Sequence, residues 1–176
     1  MIRNYNKDIM HWDKFPDYDM IWCDPPWEQK MVKYFQTIML RDTGEVADNT
    51  IGDILTTLAR LSDKSKPLVI EYSIHSAYEL VQIMAEHGHT LMSTNERIYD
   101  KKPFLILVFN VPLKINESVN PSTVITESLR NTPYQVIFDP FAGIGFTAKA
   151  VRKAGKIYIG SEINKARFER LKKINQ

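Results

Sequence analysis

Val136-Ile137-Phe138-Asp139-Pro140-Phe141-Ala142-Gly143-Ile144-Gly145-Phe146-Thr147 reads as three consecutive pieces of structure. The run from Gln135 to Asp139 predicts a strand, Phe146 to Ala154 a helix stopped by Gly155, and the residues between them a turn with two glycines. Without a Cβ at Gly143 and Gly145, a ligand can approach the backbone closely. The helix that follows offers free N–H groups and a positive end, which suits a carboxylate or phosphate. A further strand, Lys156 to Ser161, ends in Glu162, and an acid at that strand tip is well placed to bind two ribose hydroxyls. The ligand implied is a nucleoside carrying an anionic or zwitterionic group.

More than a hundred positions earlier stands a second stretch, Met20-Ile21-Trp22-Cys23-Asp24-Pro25-Pro26-Trp27. Asp19 to Cys23 predicts a short buried strand with Asp24 at its carboxyl end, where open α/β sheets bind ligands. Consecutive prolines continue neither a sheet nor a helix, so the backbone here is held extended and its carbonyls are free to accept. One carboxylate, exposed carbonyls and a flat ring suit an amino group on a planar heterocycle. Asp-Pro-Pro is also a common way to leave a strand, and Trp27 alone could be a core anchor.

The chain has 176 residues, 44% hydrophobic and 25% charged, enough for one well-buried domain. A net charge of +2 neither requires nor forbids a nucleic-acid partner, since a local basic patch is sufficient. Cys23 is the sole cysteine, which excludes an internal disulfide and a cysteine-rich zinc site. No apolar run approaches transmembrane length and no signal pattern opens the chain, so no membrane role and a cytoplasmic location are expected, in prokaryotic or phage-encoded style. His11, His75, His87 and His89 lack companions at metal-ligand spacing, so no metal is expected and they read as surface or structural residues.

Between the two stretches, periodicity predicts helices at Gln29–Leu40 and Ile51–Leu61, and a central strand at Leu68–Tyr72. Arg41 to Thr50 reads as a polar loop near the Asp24 rim. A helix from Ser76 to His87 has Ser76 and Glu79 at capping-box spacing and Gly88 as its stop. Leu91–Tyr99 and Phe104–Val111 predict a hairpin about Asp100–Pro103, adding an antiparallel edge. Ser122–Asn131 and Lys165–Lys173 are the remaining helices, and Ile2 to Tyr5 opens a short extended segment. Strands alternating with helices predict an α/β fold with a largely parallel sheet. Gly143, Gly145 and Ala148 match a G-x-G-x-x-A dinucleotide spacing, but Asp139-Pro140-Phe141-Ala142 stands before these glycines and only one strand follows.

Asp139-Pro-Phe-Ala-Gly-Ile-Gly-Phe-Thr resembles the S-adenosyl-L-methionine motif of amino-group methyltransferases, and Asp24-Pro-Pro-Trp27 resembles their catalytic motif. With the catalytic motif first and the cofactor motif last, the order resembles the circularly permuted beta class of N6-adenine and N4-cytosine enzymes. Asp-Pro-Pro-Trp also resembles the motif of messenger-RNA adenosine methyltransferases, which share this order. Protein-glutamine methyltransferases use a similar catalytic idea in the opposite order. The resemblance implies a single Rossmann-like methyltransferase domain over residues 1–176, with a mostly parallel seven-stranded sheet, an antiparallel hairpin strand and no separate target-recognition domain. It implies S-adenosyl-L-methionine as cofactor, lined by Asp139, Phe141, Gly143 and Gly145, with Glu162 on the ribose and Ile163 on the adenine. Asp8 and Ile9 are expected against the cofactor adenine, and Ser122 and Thr123 near its methionine end.

Asp24, Pro25, Pro26 and Trp27 are the expected catalytic group. The Asp24 carboxylate and the Pro25 carbonyl would accept both N–H bonds of the target amine, aiming its lone pair at the methyl group, while Trp27 stacks on a flipped or unpaired base. Asp24 in place of Ser favours adenine, by resemblance. A Cys23 thiolate attacking a pyrimidine carbon is the weaker reading, because the thiol lies within an apolar strand. Nucleic acid is the expected partner, DNA ahead of RNA, with a homodimer or a specificity partner left open and a non-catalytic partner subunit as the other class of function. Arg97, Lys101 and Lys102, and the basic last helix, read either as phosphate contacts or as ordinary solvated charge.

Overall fold

The computed structural model describes residues 2–43 and 48–174. The part of the expected Arg41–Thr50 loop at 44–47 lies outside them. Strands form at Ile2–Tyr5 (β1), Met20–Cys23 (β2), Leu68–Ser73 (β3), Leu91–Tyr99 (β4), Lys102–Phe109 (β5), Val136–Asp139 (β6) and Ile157–Ser161 (β7). Helices form at Gln29–Thr43 (α1), Ile51–Leu61 (α2), Ala77–Glu86 (α3), Pro121–Arg130 (α4), Phe146–Lys153 (α5) and Lys165–Lys173 (α6), with a single 3-10 turn at Ile9–His11.

The seven strands make one sheet in the order β1-β7-β6-β2-β3-β5-β4. All neighbouring pairs are parallel except β3–β5 and β5–β4, so only β5 is reversed. The reversed strand therefore lies one place in from the edge, inserted between β3 and β4, and β4 is the edge. The hairpin turns on two residues, Asp100 (φ 48°) and Lys101 (φ 63°), both left-handed, the backbone whose twist matches the strands of a tight hairpin. Lys102 and Pro103, expected in the turn, are thereby drawn into β5.

Strand alternation splits the core in two. Ile21, Cys23, Ile70, Tyr72, Leu105 and Phe138 face one side and pack under α2, α3 and Val32 of α1. Met20, Trp22, Val69, Ile106, Ile137 and Tyr158 face the other and pack under α4, α5 and Leu171 of α6. The result is a three-layer sandwich in which both sheet faces are covered, as the uniformly apolar β2 and the Val136-Ile137-Phe138 run of β6 require.

The expected capping box at Ser76 and Glu79 does not form. Ser76 takes φ −114° and ψ 4°, outside the extended region from which a cap side chain reaches the first turn, and its Oγ makes no capping bond. The box occurs instead on α2, where Thr50 Oγ1 accepts from Asp53 N at 3.1 Å and Asp53 Oδ2 accepts from Thr50 N at 2.7 Å. Among the described residues no helix is long and apolar enough to cross a membrane.

Candidate active site

The two stretches singled out in the sequence meet because their strands are neighbours. Met20 pairs with Ile137 and Ile21 with Phe138 in parallel register, so Asp24 and the turn after Asp139 leave the sheet at the same end. The N-terminal segment is tied to that end as well. Glu162 N donates to Tyr5 O at 3.0 Å, Asn6 Nδ2 to Glu162 O at 2.7 Å, and Ser161 Oγ to Lys7 O at 2.7 Å.

Over these strand tips lies a cavity of about 630 Å³, walled by α1 through Met31, Val32 and Phe35. Of the expected residues, Asp8, Ile9, Asp24, Pro25, Pro26, Trp27, Phe141, Gly143, Glu162 and Ile163 line it, whereas Asp139 and Gly145 do not, nor do Ser122 and Thr123. Asp139 sits beneath the turn, 1% exposed. Its Oδ1 accepts from Phe141 N at 2.9 Å and its Oδ2 from Tyr158 Oη at 3.2 Å, so it shapes the turn from below. Gly145 (φ 87°) faces α6: a Cβ there would stand 2.2 Å from Ile174 Cδ1 and 2.8 Å from Leu171 Cδ1. Gly143 (φ 55°) borders the cavity, and a Cβ on it would meet only Phe141 O, at 3.8 Å.

At the corner after β2, Trp27 Nε1 donates to Asp24 Oδ1 at 2.7 Å, and the Trp27 ring stacks on Phe104 with centroids 6.1 Å apart and planes at 21°. One carboxylate oxygen is thus fixed by the indole and the other is left for a ligand. Burial within the cavity walls raises the Asp24 carboxyl well above the ordinary carboxylate range; the charges of Glu71 and Asp139 push the same way, while the Trp27 bond opposes them. Water reaches Asp24 along the cavity, so part of this push is screened. Fully buried Asp139 is pushed up to about 7, chiefly by desolvation. Glu162, 5% exposed, is raised by burial and held back by the N–H groups of Asn164 and Gly143 and by the Arg167 charge. Its carboxylate therefore ties the glycine turn to the end of β7.

Several lining residues were not singled out from sequence. His75, read as a surface or structural residue, lines the cavity on the loop after β3, and Pro103 and Lys7 line it too; Lys102 and Arg167, weighed from sequence as phosphate contacts or solvated charge, also line it. The Arg167 guanidinium lies 4.7 Å over the Phe35 ring, joining α6 to α1 across the opening. Cys23 is fully buried, and desolvation beside Asp139, Asp24 and Glu71 pushes its thiol up, which leaves no nucleophilic thiolate there. Among the described residues no three His, Cys, Asp or Glu side chains are grouped to hold a metal ion.

The sequence family described as DNA methylase (N6_N4_Mtase) matches residues 121–173, the span from α4 to the end of α6. No curated protein sequence matches the chain significantly. Among solved structures, M1.HpyAVI in complex with S-adenosyl-L-methionine superposes with a TM-score of 0.69 at 16% identity, covering 99% of this chain and 100% of that one. TTHA0409 from Thermus thermophilus, complexed with S-adenosyl-L-methionine, gives 0.66 at 14% identity over 99% and 93%. The cytosine-N4-specific PvuII DNA methyltransferase gives 0.63 at 10% identity over 97% and 85%. The chain has the fold of these proteins.

Proposed function

We propose that this protein is an S-adenosyl-L-methionine-dependent methyltransferase acting on DNA, with the exocyclic N6 amine of adenine as its target. The observation that carries the reading is one cavity bordered at one end by Gly143, Phe141, Glu162 and Ile163 and at the other by Asp24, Pro25 and Trp27. The first group fits a nucleoside cofactor: Gly143 leaves its backbone open, Glu162 offers a buried carboxylate to ribose hydroxyls, and Ile9 and Ile163 give an apolar wall for a purine. When bound, that cofactor supplies an electrophilic methyl group on a sulfonium.

The chain's own residues do the rest by position. The free Asp24 oxygen and the Pro25 carbonyl accept the two N–H bonds of the target amine, favouring a pyramidal nitrogen with its lone pair toward the methyl group. Trp27, locked by its bond to Asp24 and backed by Phe104, offers its remaining face to the base, which must leave the duplex to reach it. DNA is favoured by the matched family's description, and adenine over cytosine by Asp24 at the motif's first position. Thermal-shift titration is the first test: S-adenosylhomocysteine should raise the melting temperature saturably and NAD should not. Stabilisation by NAD alone would replace this reading with a dinucleotide one.

A further inference from the structure

Behind the Asp24 corner stands an acid that the reading above does not use. In the β2–β3 pairing, Trp22 is opposite Val69 and Cys23 opposite Ile70, so the next residues along, Asp24 and Glu71, follow side by side. Strand alternation sends both toward the face occupied by Trp22, whose buried Nε1 donates to Glu71 Oε1 at 2.8 Å. Glu71 is thereby fixed in place beneath the corner, and no salt bridge among the described residues includes Glu71 or Asp24.

The charges around this pair are unbalanced. From β6, Asp139 adds a third carboxyl, and from β2 the Cys23 thiol stays protonated. From β4, Arg97 borders the same small cleft as Glu71, but its guanidinium donates to the carbonyls of Glu96 and Asn116. Lys7, Lys30, His75, Lys102 and Arg167 line the main cavity, with Asp8, Glu28 and Glu162 as its other acids. Of these cations, Lys30 is paired with Glu28 and Arg167 lies over Phe35.

We propose that Glu71 is a positioning residue for methyl transfer, a second carboxylate whose negative charge beside Asp24 makes Asp24 the acceptor of the proton the reaction releases. The inference rests on the methyltransferase reading. As the amine nitrogen attacks the methyl carbon, its lone pair forms the N–C bond, and the C–S electrons stay on sulfur, which becomes a neutral thioether. Nitrogen is left positive with one proton in excess, and that proton moves to the free Asp24 oxygen. A lone exposed carboxylate holds such a proton weakly near neutral pH, whereas a carboxylate beside a like charge holds it more strongly. Burial raises the Glu71 carboxyl and works against its charge, while the Trp22 hydrogen bond stabilises the charged form, and it is that charge which raises Asp24.

The test reads the charge directly, in protein without ligand. Carbon-13 NMR of side-chain carboxyls, with the Asp24 resonance assigned through Asp24→Asn, gives its titration midpoint in the wild type, in Glu71→Gln and in Glu71→Asp. Glu71→Gln keeps an acceptor for Trp22 and should lower the Asp24 midpoint by about one pH unit or more, while Glu71→Asp should stay near the wild type. The acid limb of the kcat profile should move down with it, at unchanged affinity for S-adenosylhomocysteine. A midpoint within about 0.3 unit of wild type in Glu71→Gln overturns the proposal, given the shift expected between adjacent carboxylates. A midpoint that moves without the kinetic limb overturns the role in transfer. Absence of methyl transfer by the wild type would instead sink the functional reading, while the midpoints still decide whether Glu71 acts on Asp24.

Discussion

At the scale of residues, the candidate site rests on a few atoms with defined partners. Asp24 has one oxygen engaged by Trp27 and one free, so the two residues are expected to fail differently. Asp24→Ala should lower methyl transfer by about a thousandfold or more while leaving S-adenosylhomocysteine affinity within about threefold, because the proposed acceptor residues are distinct from the proposed cofactor residues. Trp27→Phe keeps the ring over Phe104 but releases the carboxylate, and a fall in kcat of about tenfold is expected from lost orientation. Steady-state kinetics with isothermal titration of S-adenosylhomocysteine separates these outcomes. Much of the corner was legible in sequence, because two prolines after an acid at the end of an apolar run leave the backbone few choices. Glu71 was not: inside Leu68–Ser73 it reads as one polar residue in a core strand, and only the register beside β2 gives it meaning. His75 was hidden for the same reason, since its place at the cavity depends on which strands become neighbours.

Elements carry a different kind of information, and the glycine turn between β6 and α5 shows it. Both glycines have positive φ, yet they answer to different neighbours. Gly145→Ala drives a Cβ into Ile174 and Leu171 at a left-handed backbone, and a loss of about 2–3 kcal/mol in chemical denaturation is expected, with cofactor affinity unchanged. Gly143→Ala has room within the protein but borders the cavity, so it should weaken S-adenosylhomocysteine binding at a smaller cost in stability, about 1 kcal/mol. The sequence shows that a ligand-approach turn needs glycine; it does not show which glycine borders the cavity and which faces α6. Element positions were otherwise legible, α2 and α6 to the residue, and in α2 the apolar periodicity agrees with the burial. The Ser76 cap misled because the Ser-x-x-Glu spacing says nothing of backbone angles, and Ser76 is turned out of the extended region. Thr50→Ala removes the box that does form and should cost about 1 kcal/mol, read as a lower denaturation midpoint.

The whole molecule places acids at the carboxyl ends of three adjacent strands, Asp139 and Glu162 buried and Asp24 open to the cavity, and this has a consequence for stability. Asp139 is held near 7 in the folded protein, against about 4 in the unfolded chain. The folded state therefore keeps a proton that the unfolded state gives up, so this residue's contribution is most favourable at acid pH and is lost as pH rises toward 7. Asp139→Asn removes that dependence, and the melting-temperature gap between wild type and variant should narrow or reverse between pH 5 and pH 8 in scanning calorimetry. Buried His89, whose proton affinity is lowered by burial, works the other way below pH 6.5, so the comparison must be made against the variant at each pH. The same sheet order brings residues more than a hundred positions apart to one rim, and it is there that the proposed function stands or falls. The direct measurement is nucleoside mass spectrometry after incubating DNA and RNA with the protein and S-adenosyl-L-methionine bearing a deuterated methyl group. Labelled N6-methyladenine from DNA, present with the wild type and absent with Asp24→Ala, is the expected result. Label at N4 of cytosine or in RNA alone would contradict the assigned target, and no labelled nucleoside from either polymer, with cofactor demonstrably bound, would contradict the account itself.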